Sequence, residues 1–128
     1  MDDAFKRTIL IIDDSGLVLR SIREVLLPRY NVILANSGKM GIKQFTDYHP
    51  DLILLDYEMP EMNGSETFDA IRALPDGDKV PIVYLTSMDD RATIIELMKK
   101  KPAGYILKPA KSLKLIEIIA KALGEDFE

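Results

Sequence analysis

The chain has 128 residues, 47% hydrophobic and 30% charged, with a formal net charge of −4. A single domain of that length buries about two-thirds of the surface its unfolded chain exposes, so it holds a core without covalent staples. The acidic balance argues against general nucleic-acid binding, and the absence of cysteine excludes disulfides and thiol catalysis and leaves zinc without its usual soft ligands.

The opening MDDAFKR lacks a long apolar stretch, and no later run reaches membrane-spanning length, so a cytoplasmic protein without membrane contact is expected. The first strand is predicted from Thr8 to Ile12, where ILII runs into Asp13 and Asp14. A helix from about Gly16 to Leu27 follows, with Val18, Ile22, Val25 and Leu26 on one side and Pro28 as its stop. Val32 to Ala35 reads as the second strand. The second helix, about Lys39 to Tyr48, is expected to bury Met40 and Phe45 behind a Ser37 cap. The third strand, Leu52 to Leu55, ends at Asp56, and the third helix, Ser65 to Leu74, carries Phe68, Ile71 and Leu74 at helical spacing. The fourth strand, Ile82 to Leu85, ends at Thr86. A helix from about Arg91 to Lys100 then presents Ile94, Leu97 and Met98, capped by Asp89 or Asp90. The fifth strand, Tyr105 to Leu107, ends at Lys108, and the fifth helix, Leu113 to Leu123, is expected to start behind Ser112 and end at Gly124.

Runs as continuous as ILII and LILL suit strands buried on both faces, which is how parallel sheets read. Five strand–helix units with no linker or repeat predict one α/β domain over residues 1–128, an open doubly wound five-stranded parallel (βα)5 sheet, since a closed barrel needs eight units. Such sheets bind ligands beyond the carboxyl ends of the strands, where strand order reverses. In the order 2-1-3-4-5 that point lies between the first strand, ending at Asp13 and Asp14, and the third, ending at Asp56. Three carboxylates in one cleft repel: two charges about 4 Å apart cost roughly 4 kcal/mol at an effective dielectric near 20. A divalent cation such as Mg2+ relieves that, because it takes one or two carboxylates and completes its shell with water and phosphate oxygens. Asp56 then becomes a candidate nucleophile for an aspartyl-phosphate, with Lys108 and Thr86 placed to meet phosphoryl oxygens.

IIDDS, LILLDYEMPEMNG, VPIVYLTS and YILKP, in this order and across nearly the whole chain, resemble the receiver domains of two-component response regulators. The resemblance implies the flavodoxin-like strand order of single-domain chemotaxis regulators, so that order is not independent of it. It implies Asp56 as the phosphoacceptor, Asp13 and Asp14 as the Mg2+-binding acidic pair, and a backbone carbonyl from Glu58 for the metal. Thr86 resembles the hydroxyl residue that follows the phosphoryl group, Tyr105 the switch aromatic, and Lys108 the phosphate-binding lysine, joined to Pro109 by a cis bond. Met59, Pro60 and Gly64 match the loop after the phosphoacceptor.

The function so implied is a switch, catalysing only its own phosphorylation and dephosphorylation. A sensor histidine kinase or phosphotransfer protein donates to Asp56, and the face made by the fourth helix, fifth strand and fifth helix controls a downstream partner or fused effector. A monomer or weak dimer is expected, either free-standing or one domain of a longer regulator. The main rival is a small aspartate-nucleophile phosphatase or phosphotransferase of haloacid dehalogenase type, which usually carries DxD at the first strand, whereas here the nucleophile candidate ends the third and reads DYE. A flavodoxin-like electron carrier would need a Ser/Thr/Gly-rich phosphate loop after the first strand. His49, the only histidine, reads as a loop residue. Lys99, Lys100 and Lys101 suit the negative end of a helix dipole or, alternatively, an acidic partner. In the fifth helix Ile116, Ile119 and Leu123 are expected in the core, leaving Leu115 and Ile118 for a partner or dimer contact. Glu58 and Met88 are expected beside the path of the water that removes the phosphoryl group.

Overall fold

A computed structural model describes residues 6–125. In chain order it comprises β1 (Thr8–Ile12), α1 (Gly16–Leu26), β2 (Asn31–Ala35), α2 (Gly38–Tyr48), β3 (Leu52–Asp56), α3 (Gly64–Arg72), β4 (Ile82–Thr86), α4 (Arg91–Met98), β5 (Gly104–Leu107) and α5 (Ser112–Ala122). The strands form one parallel sheet in the order β2-β1-β3-β4-β5. Its three central strands are the apolar runs of the sequence, and β3 and β4 are buried along their whole length. No described helix is long and apolar enough to cross a membrane.

Alternation along each strand divides the interior in two. Ile9 and Ile11 of β1 and Leu52 and Leu54 of β3 pack with Leu19, Ile22 and Leu26 of α1 and with Leu115 and Ile119 of α5. Leu10, Ile12, Ile53 and Leu55 point the other way, onto Phe45 of α2, Phe68 and Ile71 of α3 and Leu97 of α4. Each fully buried Leu or Ile contributes about 1.5–3 kcal/mol of transfer free energy, so these two layers fix the sheet and thereby its carboxyl edge.

Helix starts follow the capping rule. Ser15, Ser37, Asn63 and Asp90 each accept a backbone N–H of the first turn of their helix, and Asn63 completes a capping box with Glu66. Asp90 rather than Asp89 therefore caps α4. The expected Ser112 cap is not formed: Ser112 is already the first residue of α5, and Lys111 at the cap position gives no side-chain bond.

Three further expectations are corrected. Met40 is 43% exposed, because the inward face of α2 runs Gly38, Gly41, Phe45 at spacings of three and four. A side chain at Gly41 would strike Ile12 of β1, so the glycine lets the helix sit close to the sheet. The buried stripe of α5 is Leu115, Ile119 and Ala120, with Ile116 and Leu123 only partly covered. Leu115 thus fills the core against α1 and is no partner contact, while Leu113 is the exposed leucine of this helix. Finally, α4 stops at Met98, itself exposed, and Lys101 takes a left-handed conformation (φ 55°) before the buried Pro102. Proline disfavours helical backbone at the residue before it.

Leu54→Ala is expected to cost about 2–5 kcal/mol in urea unfolding, whereas Met40→Ala stays within about 0.5 kcal/mol.

Candidate functional site

Because all five strands run in parallel, their carboxyl ends share one edge. Ile12 stands level with Leu55, Asp56 with Leu85 and Thr86 with Leu107. The residues that end β1, β3, β4 and β5 therefore converge: Asp13 and Asp14, Asp56, Thr86 and Lys108. Asp13, Asp56 and Thr86 are buried, Asp14 is exposed, and Lys108 reaches in from a partly exposed position. The Lys108–Pro109 bond is cis, and the Lys108 amide is tied to the Thr86 carbonyl at 2.8 Å.

The Lys108 ammonium donates to Asp56 Oδ1 at 3.1 Å and lies 2.8 Å from Asp13 Oδ2. The second contact is a close ion pair with a buried carboxylate oxygen. Asp13 Oδ1 accepts from the Ser15 amide at 2.9 Å, and Asp56 Oδ1 from the Glu58 amide at 3.3 Å. One oxygen each from Asp13, Asp14 and Asp56 lie within 4.8 Å of one another, a spacing that suits a divalent cation. One ammonium against three carboxylates leaves the cluster short of positive charge. The donor set fits Mg2+: hard, anionic oxygens, two of them deeply buried.

Burial first, then the Asp13 charge, push the Asp56 carboxyl up to about 7, against the pull of Lys108. Burial lowers Lys108, but its hydrogen bonds and charge contacts with Asp13 and Asp56 outweigh that and hold it above its ordinary value.

The loop after β3 closes tightly over Asp56. A Cβ at Gly64 would collide with the Asp56 carbonyl oxygen and the Tyr57 Cα, and the Gly64 amide donates to the Tyr57 carbonyl at 3.1 Å. Tyr105 stands half-buried on β5 against the second core layer. With Leu107, Lys111, Lys114 and Ile118 it lines a groove of about 720 Å³.

Two contacts were not expected from the sequence. The Glu58 side chain turns toward β4, where its Oε1 accepts from the Thr86 hydroxyl at 2.7 Å and from the Ser87 amide at 3.1 Å. Lys100 pairs with Asp69 at 2.6 Å and donates to the Ser65 carbonyl at 3.3 Å, tying the end of α4 to α3. The lysines that follow α4 are thus not equivalent, since Lys99 pairs with Glu96 of the preceding turn. Met88 is exposed, and its amide donates to Thr86 Oγ1 at 3.0 Å. His49 lies exposed at the left-handed end of α2, on the loop that leads into the amino end of β3, in keeping with a loop residue.

A doubly wound sheet with an acidic trio, a hydroxyl and a lysine at its order-reversal edge defines a receiver-type signalling domain. The response regulator receiver domain family matches residues 9–120, and the chain belongs to that family. It is 33% identical over 118 residues to the transcriptional regulatory protein DegU of Brevibacillus brevis, covering 89% of this chain and 49% of that protein. It is 33% identical over 111 residues to hybrid signal transduction histidine kinase D of Dictyostelium discoideum, covering 87% of this chain and 7% of that one. Among solved structures, the receiver domain of sensor histidine kinase PA1611 from Pseudomonas aeruginosa, with a magnesium ion in its active-site cleft, superposes with a TM-score of 0.86 at 26% identity. The match covers 94% of this chain and 99% of that one. The chain thus spans half or less of the curated relatives just named. It is a receiver domain of two-component signalling, and the haloacid dehalogenase alternative has no support.

Asp56 titrates near 3.8 in an unfolded chain and near 7 in the fold. Between those values the folded chain keeps a proton that the unfolded one has lost, so stability falls as pH rises from about 4 to 7. In chelator at about pH 8, Asp56→Asn is therefore expected to melt several degrees above wild type, from a gain of about 1–3 kcal/mol, with the difference vanishing near pH 4.

Proposed function

We propose that this domain works as a phosphorylation switch with Asp56 as phosphoacceptor and Asp13, Asp14 and Asp56, with the Glu58 carbonyl, as the Mg2+ site. The observation that carries this reading is the trio of carboxylates within 4.8 Å of one another, with the Lys108 ammonium 3.1 Å from Asp56 Oδ1. The magnesium ion reported in the PA1611 receiver is a property of that protein, and it supports assigning the same metal here. When bound, Mg2+ supplies positive charge that the chain lacks at this edge and so relieves the repulsion among the three acids.

Asp56 ionises more readily once that charge is present, and a carboxylate oxygen attacks the phosphorus of the donor. With a phosphohistidine donor from a sensor kinase or phosphotransfer protein, a P–O bond forms on Asp56 and the P–N bond breaks. Its electron pair stays on the departing imidazole. Lys108, held beside Asp56 Oδ1, neutralises phosphoryl oxygens without having to travel. Thr86, buried at the end of β4, donates its hydroxyl to the new group. Its shift changes the space beside Tyr105, which stands on the adjacent strand in register with Tyr84. The surface of α4, β5 and α5 then presents a changed face to a partner protein or fused effector. The product stays attached, so the domain takes up one phosphoryl group and does not turn over a substrate.

Incubation with acetyl phosphate and Mg2+ is expected to add a single acid-stable, base-labile phosphoryl group, detected by intact mass. Asp56→Asn or excess chelator abolishes it, and Lys108→Ala slows it about 100-fold. Uptake that persists in Asp56→Asn would overturn the assignment.

A further inference from the structure

We propose that the Glu58 carboxylate is a built-in competitor of the phosphoryl group, occupying the donors that the phosphorylated state needs. This rests on the reading of Asp56 as phosphoacceptor. Three donors from the end of β4 converge on Glu58 Oε1: the Thr86 hydroxyl at 2.7 Å, the Ser87 amide at 3.1 Å and the Ser87 hydroxyl at 3.4 Å. They form a small anion-binding nest, and the anion they hold belongs to the chain itself. The nest adjoins Asp56, since the Glu58 amide donates to Asp56 Oδ1 at 3.3 Å.

The competition follows from proton counting. A hydroxyl carries one proton. Thr86 Oγ1 accepts from the Met88 amide at 3.0 Å and spends its proton on Glu58. It therefore cannot serve Glu58 and a phosphoryl oxygen together. Charge acts in the same direction, because an aspartyl-phosphate places about two negative charges next to a carboxylate already lodged there. Glu58 is also imperfectly housed: its Oε2 is buried and has no hydrogen-bond partner among the described residues. A buried acceptor left unmade is costly, so the latch is one that phosphorylation can displace. Glu58 is thus a positioning residue that acts through Thr86, and its charge biases the domain toward the unphosphorylated arrangement.

A purely structural tie between the loops after β3 and β4 predicts something else. Glu58→Gln keeps an oxygen of the same reach for Thr86 and Ser87 and removes the charge, putting an amide NH2 in place of Oε2; Glu58→Ala removes both oxygen and charge. The test titrates the full chain with beryllium fluoride, a phosphoryl mimic, at fixed Mg2+. Mg2+ affinity is measured separately without the mimic, and the rate of phosphorylation by acetyl phosphate is followed in parallel. Glu58→Gln and Glu58→Ala are both expected to bind beryllium fluoride at least about fivefold tighter and to phosphorylate faster, with no matching gain in Mg2+ affinity. The advantage should narrow at high salt and shrink when combined with Thr86→Val. Glu58→Gln indistinguishable from wild type, or a gain matched by an equal gain in Mg2+ affinity, overturns the proposal while leaving the Asp56 reading intact. Wild type that neither binds the mimic nor takes up phosphate overturns both.

Discussion

Burying Asp13 and Asp56 side by side is the constraint on which the rest of this structure depends. Neither carboxylate would sit wholly inside a domain of this size without compensation, and among the described residues the only cation that reaches both is Lys108. That lysine directly follows β5, an edge strand of the sheet, so the site needs β5 paired with β4 beside β3 and β1. Even then the compensation is partial. One ammonium is shared between two buried carboxylates, and burial with the Asp13 charge pushes the Asp56 carboxyl up to about 7. The fold thus carries a charge deficit at one edge that a divalent cation, and then a phosphoryl group, resolves.

The deficit explains why the central strands are so uniformly apolar. Ile9 to Ile12, Leu52 to Leu55 and Ile82 to Leu85 have no exposed surface, and their burial against two helical layers offsets what the acidic edge costs. It also explains the tight loop at Gly64, which brings backbone against the Asp56 carbonyl where a side chain would stand in the way. Below and around the acids the strands are fully buried and the loop at Gly64 is close-packed. The groups that answer to them, Thr86 and Tyr105, sit on the two strands at the far side of the sheet.

Much of this was legible in the sequence, for a physical reason. Parallel strands buried on both faces read as unbroken apolar runs, and the polar residue that ends each run marks the carboxyl edge. Asp13, Asp56, Thr86 and Lys108 are therefore marked as edge residues by the sequence itself. Helix faces were less legible where the pattern depends on small residues. Gly38 and Gly41 carry the inward face of α2 while Met40 points outward, and in α5 the buried stripe is turned by about one residue, which puts Leu115 in the core. Contacts between loops were not legible at all. Nothing in the spacing of Glu58 and Thr86, 28 residues apart, shows that one side chain reaches the other; that depends on rotamers and on how two loops meet.

Helix α4 buries only Leu97 fully, and its charged tie to the neighbouring helix lies just past its last turn, through Lys100 to Asp69 and the Ser65 carbonyl. Its other end hangs from the loop that follows Thr86. Mechanically this is a lever hinged at its distal end. Any rotation about that pivot would carry Arg91 through the widest arc and Lys100 through the smallest, so a shift at the end of β4 would act on the end of the helix farthest from its tie.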